Sequence, residues 1–225
     1  MAQSFSIVPS ELSMRFVSFF SIPISLHQKK ISSQNRCGKY GAAEFDDVKA
    51  GAQWLLKQSF VAGPKVGIYG LSYGGLNAVQ AATRAPDLFD ACVGNAPVVN
   101  WVGESRADGE YLTLNQQKND QMSQYWPPEN LATPQWEQHV ADNTKLFYES
   151  SPMAYFSANS APLLLIQGDS DRDVAIQATL DLYNQARLIG ANVESLFYPN
   201  QMHGLSLYSS QSEAAQATVD FLLKK

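Results

Sequence analysis

Lys65-Val66-Gly67-Ile68-Tyr69, then Gly70-Leu71-Ser72-Tyr73-Gly74-Gly75, then Leu76 to Arg84: an apolar run, a glycine-framed serine and an Ala-rich helical segment follow one another without a gap. The middle piece fits G-x-S-x-G. Alone, that pattern is weak, because glycine and serine are common residues. Between a short buried strand and a helix it has the setting of a nucleophile elbow, a turn so tight that Gly70 and Gly74 must leave space where strand and helix approach. Ser72 is then expected to project above the sheet, with the backbone N–H of Tyr73 directed at a developing oxyanion. The competing reading of the same residues is an ordinary glycine-rich turn.

Outward from this turn, helical and strand patterns alternate. Phe45, Val48, Ala52, Leu55 and Leu56 recur at intervals of three or four, which predicts an amphipathic helix over Ala42 to Ser59. Asp90 to Asn95, Pro162 to Gln167 and Val193 to Tyr198 read as strands. Ala175 to Ile189, closed by Gly190, and Ser212 to Leu223 read as helices. The alternation predicts an α/β fold with a mainly parallel sheet and helices on both faces. Residues 102–160 break the rhythm with Pro127, Pro128, Pro134 and Pro152 and a helix around Gln135 to Tyr148. They read as a lid-like excursion over the C-terminal edge of the sheet.

Composition narrows the function classes. With 225 residues, 45% of them hydrophobic and 16% charged, the chain can bury a sizeable core, which excludes disorder throughout. Two cysteines cannot build a disulfide scaffold or a Cys-rich zinc site, and three histidines leave little room for a multi-histidine metal centre. The net charge of −5 is unevenly placed: residues 1–41 hold five Lys/Arg and one Glu, leaving about −9 for the remainder. An acidic body without basic runs argues against nucleic-acid binding, which needs phosphate neutralisation. The longest apolar stretch, Phe16 to Leu26, is shorter than the roughly 20 residues of a spanning helix, so no membrane span is expected. The Ser-rich, acid-poor opening has the character of a targeting segment; the preferred reading is an irregular extension over 1–35, a single domain over 36–225 and a cytoplasmic location.

A serine hydroxyl at its ordinary pKa needs a base. His203 is the leading candidate, because Pro199-Asn200-Gln201-Met202-His203-Gly204 follows a strand directly; His27 and His139 read as solvated bystanders. The base needs an orienting carboxylate, and Gly168-Asp169-Ser170-Asp171-Arg172-Asp173, after the apolar strand, offers three. At least one of them reads as a helix cap. An order of serine, acid and histidine along the chain is that of α/β-hydrolases and excludes those of chymotrypsin and subtilisin.

These motifs, in this order, resemble the C-terminal catalytic domain of the prolyl oligopeptidase family, serine peptidases that include dipeptidyl and acylaminoacyl peptidases. Lys39-Tyr40-Gly41 with Asp46-Asp47, the Gly70 to Gly75 motif, Ala96-Pro97-Val98-Val99-Asn100-Trp101, Ser151-Pro152, Gly168 to Val174 and Tyr198 to Gly204 each resemble a family segment. Similarity of Gly168 to Val174 to the family's His-Gly-x-x-Asp-x-x-Val stretch singles out Asp171. The resemblance implies an α/β-hydrolase fold in which Ser72, Asp171 and His203 cleave peptide or small acyl-peptide bonds through an acyl-enzyme. It also implies that Val98 and Trp101 wall the substrate pocket, with core packing as their competing role. It implies neither a metal nor an organic cofactor.

Gln167 stands where the family usually has histidine, and Asp173 where a polar or basic substrate contact is common. The first 35 residues resemble nothing in the family, and no motif for a second oxyanion donor precedes Tyr40. The expectation is therefore a catalytic domain whose first strands are missing, with the strand after the first helix left as an open edge. Such an edge self-associates unless residues 1–35 or a second chain cover it. The competing functions are carboxylesterase activity on the same fold and a non-catalytic remnant.

Overall fold

Segments that bury both faces, such as Leu163-Leu164-Leu165-Ile166, can satisfy their backbones only inside a sheet covered on each side. The sheet that results has five strands, β1 Phe16–Ser18, β2 Val66–Leu71, β3 Phe89–Asn95, β4 Leu163–Gly168 and β5 Val193–Tyr198, lying side by side in chain order. Every pairing is parallel. The protein is represented by a computed structural model describing residues 16–18, 43–101, 145 and 148–224. Of the expected lid, residues 102–144, 146 and 147 lie outside the described residues. Of its expected helix, Lys145 and Tyr148 are described, and both are helical.

Among the described residues, the strands are accompanied by the α-helices α1 Ala43–Leu55, α2 Tyr73–Arg84, α3 Ile176–Leu188 and α4 Tyr208–Leu223. When parallel strands follow one another in a single direction, crossovers of uniform hand place their helices on one face. Phe45, Val48 and Ala52 of α1, Ala78 and Val79 of α2, and Leu182 and Ala186 of α3 share a core with Ile68, Cys92, Leu163 and Leu165. The alternate strand residues, Ala91, Val93, Leu164 and Ile166, face the other way and meet Ala214 and Phe221 of α4. The period-two alternation of the strands thus divides three helices from one. Each fully buried Phe or Leu in these layers stabilises the fold by roughly 1.5–3 kcal/mol.

Residues 97–101 leave β3 and are fastened to the segment before β4. The Trp101 N–H donates to Ser151 Oγ at 2.9 Å, and the Met153 N–H to the Val99 carbonyl at 3.2 Å. This accounts for the Ser151-Pro152 step: the hydroxyl of Ser151 satisfies a buried amide, and Pro152 opens a short 3-10 turn, Pro152–Tyr155.

The edge of β2 is covered in part by the opening stretch, one of the two ways of covering it that the sequence left open: Phe16–Ser18 pairs with Gly67, Ile68 and Tyr69.

β2 and α2 approach each other closely. A Cβ on Gly70 would collide with the Gly74 carbonyl, and one on Gly75 would lie 2.8 Å from the Asn95 carbonyl oxygen. Gly70→Ala is therefore expected to destabilise the protein by more than the roughly 1–3 kcal/mol of ordinary overpacking, read as a fall in the urea midpoint. Gly190→Ala, where no atom lies within 4 Å of the added carbon, is expected to incur only the strain of its φ of +72°.

Candidate active site

Parallel strands end together, so the loops following β2, β3, β4 and β5 gather at one edge of the sheet. Ser72 occupies the first of them with φ 57° and ψ −120°, a conformation that L-residues avoid at a cost of about 1–3 kcal/mol. Two hydrogen bonds hold it there. Its N–H donates to the Asn95 carbonyl at 2.8 Å, and its carbonyl accepts from the Leu76 N–H at 3.0 Å. The serine is thus clamped between the end of β3 and the first turn of α2, the strained strand–turn–helix geometry expected of an elbow. Tyr73 is the first residue of α2, at the end where helix N–H groups lack intrahelical acceptors and favour negative charge.

The acid loop follows β4. Asp171 Oδ2 lies 2.9 Å from His203 Nδ1, and Asp171 Oδ1 accepts from the N–H groups of Asp173 and Val174 at 2.9 and 3.0 Å. Burial pushes the Asp171 carboxyl upward, but the hydrogen bond from His203 and those from the Val174 and Asp173 amides outweigh it and hold the group below its ordinary value. Facing a carboxylate, Nδ1 carries the imidazole proton, which leaves Nε2 available as a base. The Asp171 side chain is fully buried, while 21% of the His203 side chain remains exposed.

The histidine loop is bound to the acid loop. The Asn200 N–H donates to Asp169 Oδ1 at 2.6 Å, and the Ser170 N–H to the Gln201 carbonyl at 3.0 Å. Buried Gln201 turns its Oε1 onto the N–H groups of Ser206 and Leu207, both at 3.0 Å. On its other side, a Cβ on Gly204 would lie 4.0 Å from Leu71 Cδ2, so the loop reaches the residue preceding Ser72. The histidine neighbourhood and the elbow therefore adjoin.

The three acids are thereby separated by role. Asp171 pairs with His203, Asp169 ties the two loops together, and Asp173 gives its N–H to Asp171. His27 and His139 lie outside the described residues. Val98 and Trp101, 6% and 7% exposed, form a small cluster with Leu76, Val174 and Tyr73, and the rings of Tyr73 and Trp101 lie 6.0 Å apart. The cluster joins the first turn of the elbow helix to Val174 of the acid loop, and both side chains are buried in it. Sequence reading did not assign roles to Gln201 or to the side chain of Gln167, since glutamine carries no periodic or motif signal.

Among the described residues, one group could offer three metal ligands: Asp171, Asp173 and His203, with ligand atoms within 4.8 Å of one another. Two of these side chains are already bonded to each other. Cys92 offers no alternative nucleophile, because burial and, secondarily, the charge of Asp90 push its thiol far up and keep it protonated.

Because the Asp171 carboxyl is held low, its ionisation contributes stability that is complete above the ordinary value of 3.8 and lost as pH falls through the folded value. Asp171→Asn is expected to be less stable than the wild type at pH 7, with the difference shrinking below about pH 4. Urea midpoints at both pH values check this.

Comparison with known proteins now bears on this arrangement. Residues 33–225 match the model of the prolyl oligopeptidase family. Acylamino-acid-releasing enzyme 2 of Oryza sativa subsp. japonica is 25% identical over 186 residues, covering 80% of this chain and 22% of that protein. Dipeptidyl-peptidase 5 of Porphyromonas gingivalis is 26% identical over 166 residues, covering 74% and 22%. The chain thus spans about a fifth of the length of these relatives. The structure of Pyrococcus horikoshii acylaminoacyl peptidase superposes with a TM-score of 0.64 at 21% identity, over 85% of this chain and 29% of that one, which establishes the α/β-hydrolase fold. With the family model matching from before α1 to the C-terminus, across every loop that carries the site, the chain belongs to the prolyl oligopeptidase family.

Proposed function

We propose that this chain is a serine peptidase acting on peptide or acyl-peptide bonds, with Ser72 as nucleophile, His203 as general base and acid, and Asp171 as the group that orients the imidazole. The observation that carries the reading is the 2.9 Å contact between His203 Nδ1 and a buried Asp171 carboxylate, beside a serine held at φ 57°. Structural economy gives no reason to strain a serine and to bury a carboxylate against an imidazole at the same sheet edge. Acyl transfer requires both.

In the first step Ser72 Oγ attacks the carbonyl carbon while His203 Nε2 takes its proton. The imidazolium that forms is stabilised by Asp171, whose Oδ2 accepts from Nδ1–H. Negative charge gathers on the carbonyl oxygen, and the Tyr73 N–H at the start of α2 stabilises it. Collapse of the adduct expels the amine, which receives the proton from Nε2. Water repeats the sequence on the acyl-Ser72 ester. Val98 and Trp101 supply the apolar side of the pocket for the residue before the cut.

A fluorophosphonate reacts only with an activated serine. The wild type is expected to label, and Ser72→Ala and His203→Ala to lose the label. Comparing a p-nitrophenyl ester with an aminoacyl-anilide then separates peptidase from esterase, because fold and triad alone do not choose between ester and amide. Anilide turnover that disappears in Ser72→Ala is the expected outcome. A wild type that does not label would return the chain to a binding or structural role.

A further inference from the structure

Gln167, the penultimate residue of β4, is fully buried. Its Nε2 lies 3.2 Å from Asp171 Oδ2 and 2.9 Å from the Val174 carbonyl oxygen. Both neighbours are acceptors, so the amide can face them only with its nitrogen, and the two N–H bonds are spent on the two ends of the acid loop. The cost falls on the other end of the side chain, where the buried Oε1 has no hydrogen-bond partner among the described residues. A buried carbonyl left unsatisfied calls for an explanation, and the two hydrogen bonds its amide nitrogen donates supply one.

The oxygen it holds is the one that also faces His203 Nδ1. Asp171 therefore receives two backbone N–H groups on Oδ1 and two side-chain donors on Oδ2. The backbone pair fixes the carboxylate at one oxygen only. The second oxygen, which must meet the imidazole, would otherwise be fixed by the histidine alone.

We propose that Gln167 is a positioning residue for catalysis, its amide N–H fixing Asp171 Oδ2 so that the carboxylate meets His203 in a single orientation. This inference rests on the triad reading above. Its chemical requirement is a donor without charge. A carboxylate at position 167 would face Asp171 at about the same distance, and two carboxylates so close do not both ionise without cost. Among the described residues, the histidine and carboxylate groups clustered with Asp171 are His203 and Asp173.

The test compares Gln167→Met, which keeps length and volume without the donor, with Gln167→Glu, which donates only when protonated. Wild type and both variants are assayed on the p-nitrophenyl ester between about pH 5.5 and 9, with circular dichroism to establish folding. Gln167→Met is expected to lower kcat roughly ten- to a hundredfold, the weight of one hydrogen bond to a charged group, with KM unchanged. Gln167→Glu is expected to approach the wild type at the acid end and to fall progressively behind it as pH rises. A Gln167→Met variant with wild-type kcat would overturn the proposal. So would a Gln167→Glu variant equal to the wild type throughout, or one reduced by the same factor at every pH, which is the signature of packing alone. If Gln167→Met does not fold, the pH course of Gln167→Glu decides by the same criteria. Fluorophosphonate labelling of the wild type keeps the two readings apart: without it the triad reading fails and this inference with it, whereas labelling with unaffected variants removes this inference only.

Discussion

The close approach of β2, α2 and the end of β3 is the constraint on which the site depends. Gly70 must lack a side chain because the Gly74 carbonyl occupies its space, and Gly75 because the Asn95 carbonyl does. Only with both contacts closed can Ser72 hold φ 57° and bridge Asn95 to Leu76. The register places Gly70 opposite Gly94, where a Cβ would sit 3.1 Å from Val79 Cγ2, so the helix is drawn down onto two strands at once. Strain at the serine is sustained by burial beneath it: Leu76, Ala78 and Val79 are fully buried.

Strain of the same kind recurs around this edge. Ala96, Asn200 and Leu205 also take positive φ, following β3 and within the histidine loop. Each is held by hydrogen bonds to its surroundings: the Ala96 N–H donates to the Ile166 carbonyl at 2.7 Å, and the Leu205 N–H to the Met202 carbonyl at 3.0 Å. The layers beneath are apolar, and among the described residues the non-glycine positions with positive φ all lie at the ends where chemistry is expected. Rigid strands supply the registration; the loops spend some of that stability on shape.

Around Asp171 hydrogen bonds rather than space set the geometry. A carboxylate buried without partners would be driven to protonate, and here four donors converge on it, from two backbone amides, an imidazole and a glutamine. The arrangement keeps the group charged while shielding it from water. The neighbouring histidine loop is fixed independently, through Asn200 and the buried side chain of Gln201, so the acid and the base belong to two interlocked loops.

The sequence by itself was sufficient for the order of elements from α1 to α4, because uninterrupted apolar runs such as Leu163 to Ile166 and three-to-four spacing such as Phe45, Val48 and Ala52 report burial directly. It also singled out Ser72 and His203, whose loops follow strands, and left three acids open until a resemblance favoured Asp171. Tertiary structure decided what depends on atoms brought together from distant parts of the chain. Phe16–Ser18, three residues in a stretch without clear periodicity, becomes a strand only because β2 offers an unpaired edge. Gly75 rather than any helix signal answers to Asn95, twenty residues later. Gln167 and Gln201 each act through a pair of hydrogen bonds whose partners lie four to seven residues away along folded loops, and an amide side chain leaves no pattern in a sequence until its neighbours are in place.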